Sequence, residues 1–219
     1  MISDFEIQSP SDNRAFWEEK AKHKRYLHHL SNRSYARVNA RDDIVRLIRD
    51  GARSIVEVGV GGGYERIALD GVIKSKGVKY TGVDLALGFV QRGRQKFPND
   101  NWVQADITRD PLIEADIVYS QHVLEHCPGL SPALDWMLQS ARKALVYVFF
   151  IPPGETQEIR RRHRGWLFSN RYAERAVEAL CVDLGFSCTI EHFDNRPMSL
   201  NRHAANDEAL LYAERFQTC

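Results

Sequence analysis

Apolar residues in the first fifty positions recur at helical intervals. Phe16 and Trp17 mark the apolar face of one stretch, and Ile44 and Ile48 lie four residues apart on a second. This spacing predicts helices that form an N-terminal extension, or lid, over residues 1–51.

Beyond this extension, short apolar runs alternate with helical patterns. The predicted strands lie near residues 55–58, 78–84, 102–107, 115–126 (a strand and its loop), 144–151, 186–193 and 208–216. Strands that alternate with helices typically form a parallel sheet with crossover helices. Before the fifth strand, Ser131 as N-cap and Pro132 as first helical residue predict a helix start. The pattern predicts one α/β domain over residues 52–219.

A glycine-rich turn follows the first strand. Glu57, Gly59, Gly61 and Gly63 give the pattern E-x-G-x-G-x-G, whereas a dinucleotide G-x-G-x-x-G would need a third glycine at Tyr64. Glycine lets the backbone reverse sharply, and it lets a ligand approach the main chain closely. The turn therefore predicts a bound small molecule that is not a dinucleotide.

Polar side chains end the strands that follow. Asp84 comes 21 residues after Gly63, close to the spacing at which an acid binds two ribose hydroxyls. Asp106 and Gln121 end two later strands. Because ligands of open α/β sheets bind beyond the carboxyl ends of the strands, we expect these groups at one rim. Such an acidic rim suits a cationic ligand and repels a phosphate-bearing one.

In order and spacing, these motifs resemble those of the class I S-adenosylmethionine-dependent methyltransferases, strongly over residues 52–150 and in outline elsewhere. The resemblance implies a Rossmann-like fold, with a mostly parallel seven-stranded sheet, an antiparallel last strand and helices on both faces. It implies S-adenosylmethionine as cofactor, with the methionine part near Glu57 and the turn, the ribose at Asp84 and the adenine at Asp106. The residues it assigns to the cofactor are Glu57, Gly59, Val60, Gly61, Gly63, Asp84, Leu85, Asp106, Ile107 and Gln121.

Composition is that of an ordinary globular protein, with 43% hydrophobic and 27% charged residues in 219. The net charge of +1 gives no general attraction to nucleic acid or to an acidic membrane surface. No apolar run approaches the roughly 20 residues of a membrane span, and the four cysteines show no disulfide-framework spacing. We therefore expect a cytoplasmic protein without a membrane partner; the oligomeric state stays open.

Three histidines are candidate general bases for a hydroxyl acceptor, whose proton must be removed. His122 and His126 follow the fourth strand, and His163 lies in the long loop after the fifth. A histidine that merely packs a loop against the sheet is the alternative for each of them.

The stretch His122 to His126 also matches H-x-x-E-H, the zinc-ligand pattern of inverted zinc peptidases. That interpretation needs a helix through the motif and a third ligand downstream. Here a strand leads directly into the motif, and Pro128 predicts a turn just after it. We therefore predict no bound metal.

Two segments mix cations with aromatic residues, over residues 20–26 and 160–168. Such segments can hold anionic groups, stack on bases or sugars, or close as a lid, although solvated charged faces look the same. We predict O-methylation of a small molecule or a glycan. The alternatives are an RNA or nucleotide methyltransferase and a catalytically silent cofactor-binding protein; nucleic acid is the less favoured partner.

Overall fold

The computed structural model describes residues 10–22, 34–159, 161–162, 167–194 and 207–216. The helices are α1 (Pro10–Lys22), α2 (Tyr35–Arg49), α3 (Tyr64–Ala68), α4 (Asp70–Lys76), α5 (Leu87–Lys96), α6 (Leu130–Ser140) and α7 (Glu174–Asp183), with a 3₁₀ turn at Leu124–His126. The strands are β1 (Ser54–Val58), β2 (Lys79–Asp84), β3 (Asn101–Gln104), β4 (Ala115–Gln121), β5 (Ala141–Phe149), β6 (Arg161–Arg162), β7 (Leu167–Phe168), β8 (Phe186–Phe193) and β9 (Glu208–Arg215).

Seven strands form one sheet in the order β3-β2-β1-β4-β5-β9-β8, and β6 pairs with β7 in a separate ribbon. Strands β1 to β5 are mutually parallel, whereas β9 is antiparallel to both of its neighbours. The predicted Rossmann-like fold, with its mostly parallel sheet and antiparallel last strand, is confirmed. The carboxyl ends of the parallel strands therefore share one edge with the amino end of β9.

Helices cover both faces of this sheet. On one face, α2 places Ile44 and Ile48 against β5 and β9, and neither residue is exposed. On the other face, α6 and α7 bury Leu134, Met137 and Val177 against the strands. Strand β5 is buried continuously from Ala144 to Phe149 because it lies between these two layers.

Two predicted boundaries were wrong. They are the start of the helix before the fifth strand and the start of the fifth strand itself. Helix α6 begins at Leu130 with Gly129 as N-cap, and the Ser131 hydroxyl donates to Asp135 instead of capping the helix. Strand β5 begins at Ala141, directly after the last residue of α6, so that no loop marks the change from helix to strand.

The proposed boundary between residues 51 and 52 stays a prediction. Helix α1 packs on α5, while α2 packs on the sheet itself. Gly88 of α5 permits the close approach of α1, because a Cβ there would lie 2.9 Å from the Cβ of Ala21. Across the ranges given above, the helices are too short or too polar to cross a membrane.

Candidate active site

A cavity of about 380 Å³ lies at the carboxyl edge of the sheet, below α1. Its volume falls in the range of small-molecule sites. Among the residues predicted to bind the cofactor, those that line the cavity are Gly59, Gly61, Asp84, Leu85, Asp106, Ile107 and Gln121. Glu57, Val60 and Gly63 do not line it.

Asp84 presents a buried carboxylate to this cavity. Its two oxygens accept hydrogen bonds from the backbone amides of Gly61, at 3.0 Å, and Ala86, at 2.9 Å. Burial raises the pKa of Asp84 to about 6, against the lowering effect of these amides. Each carboxylate oxygen has room for more than one hydrogen bond, so Asp84 can still accept the two hydroxyls of a diol.

The glycine turn after β1 adopts left-handed backbone angles, with φ of 73° at Gly59, 48° at Gly61 and 68° at Gly63. L-residues with a Cβ rarely adopt this region. At Gly59 there is also no space, because a Cβ would overlap the side chain of Val123 in the loop after β4. Glycine at position 59 is thus required by a protein contact as well as by the backbone.

Glu57 lies away from the cavity lining. Its carboxylate accepts a 2.5 Å hydrogen bond from the hydroxyl of Tyr80, and only 3% of the residue is exposed. Burial raises the pKa of Glu57 to about 8, although the Tyr80 hydrogen bond opposes the shift. In this structure its contact is with β2, and the assigned role at the methionine part stays a prediction.

Asp106 and Gln121 bring two further polar groups to the cavity. Burial disfavours charge on Asp106, but hydrogen bonds from Thr108 and the ion pair with Arg109 lower its pKa overall. The amide oxygen of Gln121 is buried and has no hydrogen-bond partner among the described residues. A buried acceptor beside a cavity requires a donor, which a ligand can supply.

The residues at this end of the cavity fit S-adenosylmethionine. Asp84 can hold the ribose hydroxyls, and Gln121 offers an acceptor to an ammonium or amino group. The two acids of the rim suit the cofactor's positive charges. A phosphate-bearing cofactor would instead meet Asp84 at close range.

His122 carries the one positive φ found at a non-glycine residue in the described ranges, 58°. Its Nε2 lies 3.2 Å from Oε1 of Glu208, and its Nδ1 lies 3.4 Å from the guanidinium of Arg37. Burial lowers the pKa of His122, although the Glu208 hydrogen bond opposes this. Both ring nitrogens are therefore engaged with protein groups, and burial favours the neutral form of the ring.

His126 is oriented differently. Its Nδ1 lies 2.7 Å from the carbonyl oxygen of Phe168, which can only accept, so Nδ1 carries the proton and donates it. In the neutral ring the acceptor lone pair is then on Nε2. His126 also lines the cavity. Of the two candidate bases that the structure describes, His126 has the tautomer that leaves a ring nitrogen able to accept a substrate proton.

The H-x-x-E-H stretch does not form an α-helix. Its only helical part is the 3₁₀ turn Leu124–His126. Glu125 is fully buried, accepting from the Tyr147 hydroxyl at 2.6 Å and from the backbone amide of Phe150 at 2.7 Å. This glutamate thus joins the loops after β4 and β5, and no cluster suited to a metal ion occurs among the described residues.

Some predicted features lie outside the described residues. His163 is one of them, as are residues 23–26 of the first cationic segment and most of the second. Within the first segment, Lys20 does line the cavity.

Sequence reasoning missed Glu208, Arg37 and Phe150, all of which contact the predicted histidines. Glu208 begins β9 and Arg37 lies in α2, where they form a buried ion pair at 3.7 Å. Neither belongs to a local motif. The signal available in the sequence was that each is a charged residue within an otherwise apolar pattern. A position at the protein surface would explain such a residue equally well.

Comparisons with known proteins agree with this geometry. Residues 56–145 match a family model described as a methyltransferase domain. A trans-aconitate 2-methyltransferase from Azoarcus sp. (strain BH72) is 26% identical over 137 residues, which cover 62% of this chain and 51% of that protein. The chain thus spans about half the length of this curated relative.

Solved structures share the fold at low identity. A 1,6-didemethyltoxoflavin-N1-methyltransferase from Burkholderia thailandensis aligns with a TM-score of 0.68 and 13% identity, over 98% of this chain and 93% of that one. Magnesium protoporphyrin IX methyltransferase from Synechocystis PCC 6803 aligns with a TM-score of 0.64 and 15% identity, over 93% and 100%. Both were crystallised with S-adenosylhomocysteine. Residues 56–145 thus resemble a methyltransferase domain, and the chain has the same fold as these solved methyltransferases.

Proposed function

We propose that this protein transfers the methyl group of S-adenosylmethionine to a hydroxyl of a small molecule held below α1. The observation that carries the proposal is that Asp84 and His126 line the same cavity. The Asp84 carboxylate can accept hydrogen bonds from a ribose diol, and the His126 ring can accept the proton of a hydroxyl group. The cofactor residues and the catalytic role of His126 are part of this proposal.

When bound, the cofactor would supply a methyl group: the acceptor oxygen would bond to the methyl carbon while the carbon–sulfur bond breaks and its electron pair stays on sulfur. The protein has three tasks in this reaction. Asp84 and the glycine turn orient the cofactor, α1 excludes water, and Nε2 of His126 takes the acceptor's proton. Holding the reacting groups in line accounts for several kcal/mol of the barrier, and a positioned base contributes about 10²- to 10⁴-fold.

His122 is assigned a positioning role, because its ring contacts Glu208, Arg37 and Phe150. Phe150 in turn packs against the ring of His126, at 5.1 Å between centroids. Through this contact, His122 supports the ring of Phe150, against which the proposed base packs.

A labelling experiment tests the proposal. The protein is incubated with metabolite extracts and S-adenosylmethionine carrying a labelled methyl group, and mass spectrometry identifies the methylated product. With that acceptor, His126→Gln is expected to lower kcat by about 10²-fold or more at unchanged S-adenosylhomocysteine affinity. His122→Gln is the control and should retain more activity. Equal activity of His126→Gln and the native protein would refute the assigned base.

The alternatives give different results in the same experiment. An RNA methyltransferase would label polynucleotide, with binding that weakens steeply as salt rises. A catalytically silent protein would bind S-adenosylhomocysteine and label nothing. The limited volume of the cavity favours a small acceptor over a polynucleotide.

A further inference from the structure

Five aromatic rings form a continuous wall along the cavity. Successive centroids are 5.2 Å apart from Phe16 to Trp17, 5.2 Å from Trp17 to His126, 5.1 Å from His126 to Phe150 and 5.2 Å from Phe150 to His122. All five residues line the cavity. We call this row the ring wall.

The ring wall is assembled from three segments that are distant in sequence. Phe16 and Trp17 come from α1, His122 and His126 from the loop after β4, and Phe150 from the end of β5. Each contact has the spacing and tilt of favourable aromatic pairs. Because the rings of a packed core would bury one another, a row that lines a cavity offers its remaining faces and edges to a ligand.

The other side chains near the ring wall include two polar residues of α1, Asn13 and Lys20, and are otherwise largely apolar. Val123, Leu167 and Cys127 lie beside the wall, with Ser169 as a small polar neighbour. Beyond these few polar groups, a polyhydroxylated ligand such as a sugar would leave several of its hydroxyls without partners, at a cost in affinity. A flat aromatic ligand would lose little hydration and would stack on the wall.

The position of the base adds a second constraint. His126 lies in the middle of the ring wall, between Trp17 and Phe150. A ring system lying along the wall therefore brings one edge close to the atom that we propose as the proton acceptor. The hydroxyl that is methylated belongs on that edge.

We infer that the methyl acceptor is a planar aromatic or heteroaromatic molecule with a ring hydroxyl, bound along the ring wall. This inference rests on the proposed function and narrows its substrate class. The hydroxyl oxygen gives its proton to Nε2 of His126 and gains the methyl group.

Binding in the presence of saturating S-adenosylhomocysteine tests the inference without requiring turnover. The probes are β-naphthol, its saturated counterpart decahydro-β-naphthol and methyl glucoside, followed by ligand-detected NMR. We expect β-naphthol to bind at least about tenfold more tightly than either other probe, because only it can stack. Equal or tighter binding of the saturated alcohol or the glucoside, or no binding of β-naphthol, would overturn the inference.

A pair of matched variants locates the bound probe. Phe150→Leu removes a ring of the wall, whereas Phe216→Leu makes the same change at a ring that is 52% exposed and does not line the cavity. Only Phe150→Leu should weaken β-naphthol binding, by about fivefold or more, with S-adenosylhomocysteine affinity within about twofold of the native value. An equal loss of S-adenosylhomocysteine affinity would assign the wall to the cofactor and refute the inference. Failure of the native protein to bind S-adenosylhomocysteine would instead refute the proposed function.

Discussion

Glu18 of α1 caps the first turn of α5 by accepting a 2.7 Å hydrogen bond from the backbone amide of Leu87. Its second oxygen accepts from the amide of Gly88 at 3.2 Å. The N-cap residue of α5, Ala86, makes no side-chain cap of its own. A carboxylate from a distant helix therefore satisfies amides that would otherwise lack partners, and its charge complements the helix dipole. This contact ties α1 to the segment that follows Asp84.

Substitution of Glu18 should loosen α1. We expect Glu18→Gln to remove about 1 kcal/mol of charge-assisted capping and to speed hydrogen exchange of α1 amides by about fivefold. The control is Glu19→Gln, whose carboxylate is exposed and pairs with Lys22 in the same helix. Equal exchange in the two variants would show that Glu18 does not hold α1 in place.

A comparison of Gly59 with Gly77 distinguishes two reasons for a glycine: backbone strain, and the lack of space for a Cβ. Both have positive φ, but a Cβ at Gly77 meets nothing within 4 Å, whereas one at Gly59 overlaps Val123. We expect Gly77→Ala to cost about 1 kcal/mol of unfolding free energy from backbone strain alone. Gly59→Ala should cost a further 1–3 kcal/mol, on the order of other overpacked sites.

Urea unfolding measures both variants, and a double variant tests the cause. Gly59→Ala combined with Val123→Ala removes the overlapping methyl group, so the pair should be less destabilised than the sum of its single variants. Strictly additive costs would contradict the assigned contact.

Glu125 should make stability depend on pH. Burial raises the pKa of Glu125 to about 7 from an ordinary 4.5, so between these values the folded protein binds more protons than the unfolded chain. Stability from this group is complete below pH 4.5 and falls as pH rises through 7, by on the order of 3 kcal/mol.

Thermal unfolding between pH 4.5 and 8 checks this expectation. Glu125→Gln cannot ionise, so its stability should fall less steeply with pH than that of the native protein, even though the lost acceptor lowers it throughout. Parallel pH profiles for the two proteins would exclude Glu125 as the titrating group.

Asp84 should govern cofactor affinity in the opposite sense. With its pKa near 6, the acceptor carboxylate is lost as pH falls below that value, and S-adenosylhomocysteine should bind more weakly there. Asp84→Asn should weaken binding by about tenfold to a hundredfold at neutral pH and abolish this dependence.

Calorimetry provides the measurement, and Asp116→Asn is its control. Asp116 accepts from the backbone amide of Arg53 near the start of β4, at the opposite edge of the sheet. Its substitution should leave S-adenosylhomocysteine affinity unchanged. Native-like affinity in Asp84→Asn would refute the ribose assignment.

Sequence patterns predicted the sheet well because its strands follow from local chemistry. Strand β8 was predicted at its observed bounds, since apolar and polar residues alternate from Phe186 to Ile190, as in a strand with one buried face. The start of β5 could not be predicted, because Ala141 is both the C-cap of α6 and the first residue of the strand, and no turn residue separates the two elements. The prediction of Ser131 as N-cap was wrong because its hydroxyl donates a hydrogen bond to Asp135 instead.

The residues at the carboxyl rim of the sheet were more predictable than the partners of the cavity histidines. Gly59, Asp84 and Asp106 follow consecutive strands, and parallel topology alone brings such residues to one edge. The partners of His122 could not be predicted in this way, because Arg37 and Glu208 are 171 positions apart in the sequence and meet only when β9 enters the sheet.

The place of β9 also bears on how the protein folds during its synthesis. In the described sheet, β8 pairs only with β9, and β9 separates it from β5. Until β9 has been synthesised, β8 has no strand to pair with. The apolar β5 is then an unpaired edge strand that can associate with other chains. The contact of His122 with the Glu208 carboxylate also forms only after β9 has been synthesised. Nascent chains halted before this strand should therefore aggregate readily and need chaperones, and their cavity should lack one of its supporting contacts.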